Sequence, residues 1–309
     1  MNKLLPTLAL TAAAITSCSR AGSNPTTEHM PMTALQDSLQ SIIKGKPGQF
    51  GIAVIFDSRD TLVMNNTPDY PMMSMFKLPE ALAVCHMLDN NETGLDTVIN
   101  IRRGELDPST WSPMLKDYPD GDIRITAGDL IRYILIDSDN NASNLLFDKI
   151  VSVPETGKWT STLVSEPEFA MMYKESEMKE NNSLCYRNRC SPLAYTVLVN
   201  KVFTDSIVSS GKQEFIRRAM TECQTGEKRI AAPLAGRRDI KFSHRTGSGY
   251  TNDKGEITAV NDGGYVLMPS GKGYSVSVFV KDFAGSQADA EQIMAEISGA
   301  IFNYASQRL

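Results

Sequence analysis

Pro71-Met72-Met73-Ser74-Met75-Phe76-Lys77 stands just before the apolar run Leu82-Ala83-Val84-Cys85. A serine and a lysine three apart, read as the start of a helix, share one of its faces. Ser74 then lies in the first turn, where backbone N–H groups are still free to donate. A hydroxyl attacks a carbonyl at neutral pH only when a base takes its proton, and Lys77 stands within reach of that proton. Ser-x-x-Lys is nevertheless a common pair, and alone it describes an ordinary surface helix as readily as a catalytic one. Pro79 is a local oddity. Inside a helix it removes a hydrogen bond at a cost of about 3 kcal/mol, which predicts a kink after Ser74.

Outward from this stretch the pattern supplies an architecture. Residues 33–44 put Leu35, Leu39, Ile42 and Ile43 on one helical face. Residues 50–56 and 61–64 read as two strands around the turn Asp57-Ser58-Arg59-Asp60. From Lys77 to Cys223 the periodicity is mostly helical, broken by an irregular stretch over 95–122 and by the polar turn Asp137-Ser138-Asp139-Asn140-Asn141. After residue 240 the period changes: 257–260, 264–268 and 274–280 read as strands, and 286–305 as a long amphipathic helix. Strands at both ends enclosing a helical block predict an α+β fold, an α/β-α sandwich. Its antiparallel sheet, five-stranded, carries the terminal helices and forms a discontinuous domain over 33–70 and 224–309. An all-helical domain fills 71–223, with the site at the boundary.

The chain has 309 residues, 41% hydrophobic and 22% charged, enough for a sizeable core. Its net charge of −5, without a dense Lys/Arg run, argues against nucleic acid as a partner. No apolar run reaches the length of a bilayer span. Lys3 followed by the apolar stretch 4–15 has the layout of an export signal, over 1–17. Ile15-Thr16-Ser17-Cys18 resembles a loose bacterial lipoprotein processing site. Cys18 would then become the lipidated first residue, residues 18–32 a tether, and the protein periplasmic and lipid-anchored. Plain cleavage nearby is the alternative. His29, His86 and His244 are not in ligand spacing and no CxxC pair exists, so no metal or cofactor is expected and the histidines read as structural or surface residues. Cys85 reads as a small buried hydrophobe. Cys185 and Cys190 are close in an exported chain, which leaves a disulfide open.

Three short motifs stand in one order: Ser74-x-x-Lys77, Ser138-Asp139-Asn140 and Arg245-Thr246-Gly247. Together they resemble the serine penicillin-recognising enzymes, and specifically the class A β-lactamases. Trp111-Ser112-Pro113, the run Ser138 to Leu146, and Thr225-Gly226 with Arg229-Ile230 and Pro233 extend the likeness over most of the chain. The resemblance implies a β-lactamase/transpeptidase-like fold and a monomer that hydrolyses a small β-lactam. Ser74 would form the acyl-enzyme and Lys77 would keep its proton mobile. Backbone N–H groups of Ser74 and Ser248 would form the oxyanion hole, each donor worth about 2.7–4 kcal/mol in the transition state. Ser138 would relay a proton to the leaving nitrogen. Asn140 would bind the substrate's side-chain amide, and Arg245 with Thr246 its carboxylate. Arg245 departs from the commoner lysine, keeping the charge but replacing a point ammonium with a planar fork.

The family frees its acyl group with water activated by a loop glutamate, in a Glu-x-x-Leu-Asn pattern. Glu175-Ser176-Glu177-Met178-Lys179 matches at the family's loop distance from Pro192. Glu166, nine residues further upstream, is the second candidate and stays open beside Glu175, and Glu177 is a weaker third. Lys179 replaces the loop asparagine. Tyr173 and Asn188 stand where the family brackets this loop with an ion pair, which leaves Cys185–Cys190 or Tyr186 to hold it. Asn144 remains as an anchor for the glutamate. Two alternatives keep the scaffold: a DD-peptidase or penicillin-binding protein, with slow deacylation, and a non-catalytic surface lipoprotein.

Overall fold

The computed structural model describes residues 30–119, 122–165 and 168–309. The export signal, Cys18 and most of the tether lie outside them, as does Glu166. Five antiparallel strands form the main sheet: β1 (Gln49–Phe56), β2 (Asp60–Met64), β3 (Lys241–Ser248), β4 (Ile257–Leu267) and β5 (Gly273–Phe283). Their spatial order is β2-β1-β5-β4-β3, so the first strands of the chain pair with the last.

One face of the sheet carries the terminal helices Met32–Ile43 and Gln287–Ala305. Leu35, Leu39, Ile293, Ile297 and Ile301 are buried there at a helical spacing, each worth about 1.5–3 kcal/mol. The opposite face packs against the helix Pro192–Thr204 and, through it, a second apolar core around the helix Lys77–Asn90. Ser74 lies between the strands and this helical block.

Three details differ from the sequence reading. Ser74 belongs to a short 3-10 turn, Met73–Phe76, and the α-helix begins only at Lys77. Pro79 is therefore in the helix's first turn, where its missing N–H costs little, and the helix runs on to Asn90. The carbonyl of Met75, four residues before it, accepts a hydrogen bond from the Tyr195 hydroxyl at 3.3 Å. Secondly, 257–260 and 264–268 are not two strands but one. Asn261-Asp262-Gly263-Gly264 has the composition of a turn, yet a Cβ at Gly264 would lie 2.2 Å from the Ser243 carbonyl oxygen and one at Gly263 would press on Met75 and Tyr195. These glycines exist for close packing within a continuous strand. Thirdly, residues 95–122 hold an ordered strand, Val98–Ile101, paired with Ile123–Thr126.

Candidate active site

The nucleophile turn is under backbone tension. Met73 sits at φ 49° with its side chain buried, a conformation L residues avoid. Strand β3 meets this turn at Gly247, where a Cβ would lie 2.4 Å from the Met72 carbonyl oxygen. Only glycine lets the strand lie so close to Ser74. From the other side, Asn261 on β4 donates its amide N–H to the Pro71 carbonyl at 2.7 Å. The position of Ser74 is thus fixed by two strands and by its own helix.

Ser138 follows a single π-helical turn, Tyr133–Asp137, and has left-handed backbone at φ 63°. Asp139 next to it caps the helix Asn140–Lys149. Its carboxylate accepts from the Ala142 N–H, the Met114 N–H and the Ser112 hydroxyl, all within 2.8–2.9 Å. The Asn140 N–H donates to the Trp111 carbonyl at 3.0 Å. The segment Trp111-Ser112-Pro113 is therefore bonded directly to Ser138-Asp139-Asn140. The Trp111 ring remains 62% exposed at the rim.

Lys77 is fully buried and is the hub of the cluster. Its Nζ lies 3.1 Å from Ser74 Oγ, 2.9 Å from the Ser138 carbonyl, 3.5 Å from Ser138 Oγ and 2.6 Å from Asn140 Oδ1. Glu175 Oε1 is 3.1 Å from Nζ and accepts from Ser74 Oγ at 3.1 Å. Burial pulls the Lys77 amine below its ordinary value; the Glu175 charge opposes this without reversing it. An amine so placed gives up and regains a proton easily.

The structure therefore brings Ser74, Lys77, Ser138, Asn140 and Glu175 into one network. Of the other glutamates weighed, Glu177 turns its carboxylate back to cap the Lys174 N–H at 2.9 Å and has a structural task. Glu166 lies outside the described residues. Asn144 anchors the loop through the Ser176 N–H at 3.1 Å, rather than through the glutamate itself.

On the β3 side, Arg245 is fully buried, with Nε and Nη2 lacking partners among the described residues. Its Nη1 donates to Thr225 Oγ1 at 3.3 Å, and that hydroxyl lies 2.6 Å from Thr246 Oγ1. A buried guanidinium with unfilled donors beside two hydroxyls is an anion-binding arrangement. Arg229 braces the exposed Ser248 from beneath, donating to Ser248 Oγ at 2.6 Å and to the Gly247 and Asn261 carbonyls. Sequence reasoning took Arg229 only as a flank.

The loop carrying Glu175 is closed by a neutral amide. Asn188 Oδ1 accepts from the N–H groups of Met172 and Tyr173 at 2.8 and 3.0 Å, and its Nδ2 donates to the Tyr173 carbonyl at 2.7 Å. Tyr186 ties the same segment to β5 through Asp282 at 2.5 Å. Cys185 and Cys190 are both free thiols, so no disulfide shares the task. Lys179 pairs with Asp107 and Ser109 and makes no hydrogen bond to Ser74 or Glu175 among the described residues.

Glu80 was missed by sequence reasoning. It is fully buried in the apolar run after Lys77, accepts from Ser143 Oγ at 2.8 Å, and leaves Oε1 without a partner among the described residues. Burial raises its carboxyl well above the ordinary value, which favours the neutral form. A charged residue three after Lys77 in an otherwise apolar helix was the available signal.

Comparison with known proteins gives the site its context. Residues 34–305 match a family profile described as the beta-lactamase enzyme family. A beta-lactamase from Phocaeicola vulgatus is 44% identical over 94% of this chain and 89% of its own. The extended-spectrum beta-lactamase PER-1 of Pseudomonas aeruginosa is 28% identical over 89% of this chain and 88% of its own. Among solved structures, TLA-3 extended-spectrum beta-lactamase superposes with a TM-score of 0.85 at 30% identity, covering 89% of this chain and 99% of that one. A class A beta-lactamase from Bacteroides cellulosilyticus gives 0.83 at 27% identity, covering 88% and 97%.

Proposed function

The chain belongs to the beta-lactamase enzyme family, hydrolysing β-lactams as a class A serine enzyme, and we propose that Ser74 is its nucleophile, with Lys77 and Glu175 sharing the proton work. Ser74 Oγ attacks the lactam carbonyl while its proton passes to the Lys77–Glu175 pair. Ser138, in contact with Lys77, hands a proton to the departing ring nitrogen. The result is an ester on Ser74 with the ring open. Glu175 then takes a proton from water, the water attacks the ester carbonyl, and Ser74 is released. The N–H groups of Ser74 and Ser248 stabilise the oxyanion in both steps. Arg245 and Thr246 hold the substrate carboxylate, and Asn140 its side-chain amide.

The observation that carries this reading is the three-way contact at 3.1 Å among Ser74 Oγ, Lys77 Nζ and Glu175 Oε1. A carboxylate this close to the ester oxygen is what separates a hydrolase from a peptidase that stays acylated. The substrate range we propose includes cephalosporins, in keeping with the extended-spectrum names of PER-1 and TLA-3. The export and Cys18-anchoring expectations enter here as proposals too, supported by the n-region, apolar stretch and cysteine of residues 1–18.

The deciding experiment is steady-state hydrolysis of a chromogenic cephalosporin by the full chain, with intact-mass analysis of the enzyme during turnover. Rapid turnover with little accumulated adduct is expected. A stable, stoichiometric adduct on the native enzyme would instead mark a penicillin-binding peptidase, and a folded protein with neither adduct nor turnover a non-catalytic scaffold.

A further inference from the structure

Beside the anion clamp lies a second polar cluster that the hydrolytic cycle leaves idle. Cys223 follows the helix Ser210–Thr221 and faces the edge of β3. Its sulfur lies 3.4 Å from Thr225 Oγ1 and 3.9 Å from Arg245 Nη1. His244, the residue before Arg245 on β3, places its imidazole near enough to the same sulfur to act on its charge. The other side of that ring is held by Asp262, with Nδ1 2.8 Å from Oδ1, and Asp262 is fully buried. The sulfur thus has the Arg245 guanidinium in contact and the Asp262-paired imidazole nearby, and cations so placed favour the thiolate over the thiol. Burial opposes a charge on Cys223, but His244 and Arg245 together overcome it and favour the thiolate. His244 is raised by Asp262 and by Cys223 itself, against its own burial.

The other described cysteines are the internal contrast. Cys85, Cys185 and Cys190 are fully buried. Burial pushes Cys85 to about 12 and Cys185 to about 11, and Cys190 well above its ordinary value. Of these four, Cys223 alone is partly exposed. An accessible thiol in an electropositive setting is the reactive kind, and a buried thiol in an apolar one is inert. The neighbouring Arg245 supplies an independent sign of a ligand site, since its unpartnered donors would draw an anionic reagent.

We propose that Cys223 is a covalent modification site that attacks small anionic disulfides, and that the adduct closes the carboxylate subsite. In the step, the Cys223 sulfur attacks one sulfur of the disulfide. A new S–S bond forms, the old one breaks, and the departing thiolate carries off the electron pair. Cys223 is oxidised and the reagent reduced, with no further oxidant. The adduct sits against Thr225, which is bonded to Thr246, and removes the negative sulfur that faces Arg245. The closing of the subsite rests on the carboxylate-binding role proposed for Arg245 and Thr246; the reactivity of Cys223 does not.

The test treats the folded full chain with 5,5′-dithiobis(2-nitrobenzoate), following thiolate release, residual cephalosporin hydrolysis and the labelled peptide by mass. A fast phase at Cys223 is expected, about tenfold or more ahead of Cys85, Cys185 and Cys190. Activity should fall in step with it, through KM more than kcat, and dithiothreitol should restore it. Cys223→Ser should lose the fast phase and resist inactivation. His244→Gln, which keeps the thiol, should label at least about tenfold more slowly near neutral pH. Peptide mapping keeps any label on Cys18 separate and decides the matter even if a variant folds poorly. Labelling of native protein that bypasses Cys223 overturns the proposed site, whereas full labelling of Cys223 with unchanged KM and kcat overturns the closing of the subsite.

Discussion

Ser74 and Glu175 touch, yet the two regions that deliver them are built on opposite principles. The Ser74 side is rigid and charge-dense: a buried lysine, a buried guanidinium, the first two sequence motifs bonded directly to one another and the third packed on the nucleophile turn at Gly247. The loop bearing Glu175 is held from outside by single residues, the Asn188 amide, the Tyr186 hydroxyl and the Asn144 side chain. Acylation chemistry needs several groups in fixed mutual geometry, so a change in any one disables the others. The loop needs only to deliver one carboxylate, and different bonds can do that. Most departures from the family pattern collect accordingly in the loop, at Tyr173, Lys179 and Asn188; Arg245, on the charge-dense side, keeps the charge of the lysine it replaces.

The sharpest way to break this comparison is to remove one group from each region. Ser74→Ala should abolish adduct formation and lower turnover by roughly four orders of magnitude or more. Glu175→Gln should leave acylation measurable, lower turnover by roughly 10²–10⁴-fold and accumulate a covalent adduct of substrate mass. If Glu166→Gln traps the adduct and Glu175→Gln does not, the general base is misassigned and the loop matters more than its geometry suggests.

Asn188→Ala tests the loop's bracket without touching the chemistry. It leaves the N–H groups of Met172 and Tyr173 and the Tyr173 carbonyl to find other partners. An unmet buried group costs about 1–3 kcal/mol, and partial access of water keeps the total near the lower end for each. A fall of several degrees in melting temperature is expected, with deacylation slowed more than acylation in single-turnover kinetics. Equal slowing of both steps would mean that the two regions are one mechanical unit.

Glu80 tests the charge-dense region by pH. The unfolded chain holds this carboxyl near its ordinary 4.5, while the fold raises it well above that. Below pH 4.5 both states bind the proton and the neutral carboxyl contributes in full. As pH rises, the unfolded chain releases its proton first and the fold loses stability, until the raised value is passed. Each unit of separation is worth about 1.4 kcal/mol. Glu80→Gln keeps the shape without the titration, so its melting temperature should gain on the parent as pH rises above about 4.5. Parallel curves would place Glu80's proton equilibrium elsewhere.

What the sequence revealed follows the same division. The three motifs specified Ser74, Lys77, Ser138, Asn140, Arg245 and Thr246 because their spacing is imposed locally by one turn or one strand. Helical and strand periods foretold a sheet around a helical block, but they reached five strands by splitting β4 in two and passing over β3. Glu175 was reachable from its distance to Pro192, whereas its supports were not, because Asn188 acts on residues that only the folded loop brings near. The grouping of Cys223 with Arg245, His244 and Asp262 was hidden for the same reason: its members lie on three elements. Gly263-Gly264 misled because a glycine pair signals a turn and tight packing equally well, and only the neighbours Met75, Tyr195 and His244 distinguish them. Pro79 misled because its cost depends on where the helix starts, a boundary that composition fixes poorly.

The smallest expected effect belongs to Lys179. Where the family pattern has a loop asparagine, this chain has a cation paired with Asp107 and Ser109. Both partners of the pair are more than a third exposed. Solvent and salt screen such a contact, and its worth is typically under about 1 kcal/mol. Lys179→Ala should therefore shift the melting temperature by a degree or two at low salt and less at high salt. Its deacylation rate should stay within about threefold of the parent, since the Asn188 bracket and the Asn144 anchor remain. Lys179→Asn, restoring the family's residue, separates two accounts of the loop. If Asn188 and Asn144 suffice to position Glu175, the asparagine gains nothing and deacylation is unchanged. A several-fold faster deacylation in Lys179→Asn would mean that the loop is under-restrained as it stands, and that the contrast between a rigid nucleophile and a loosely tethered base sets the rate of turnover.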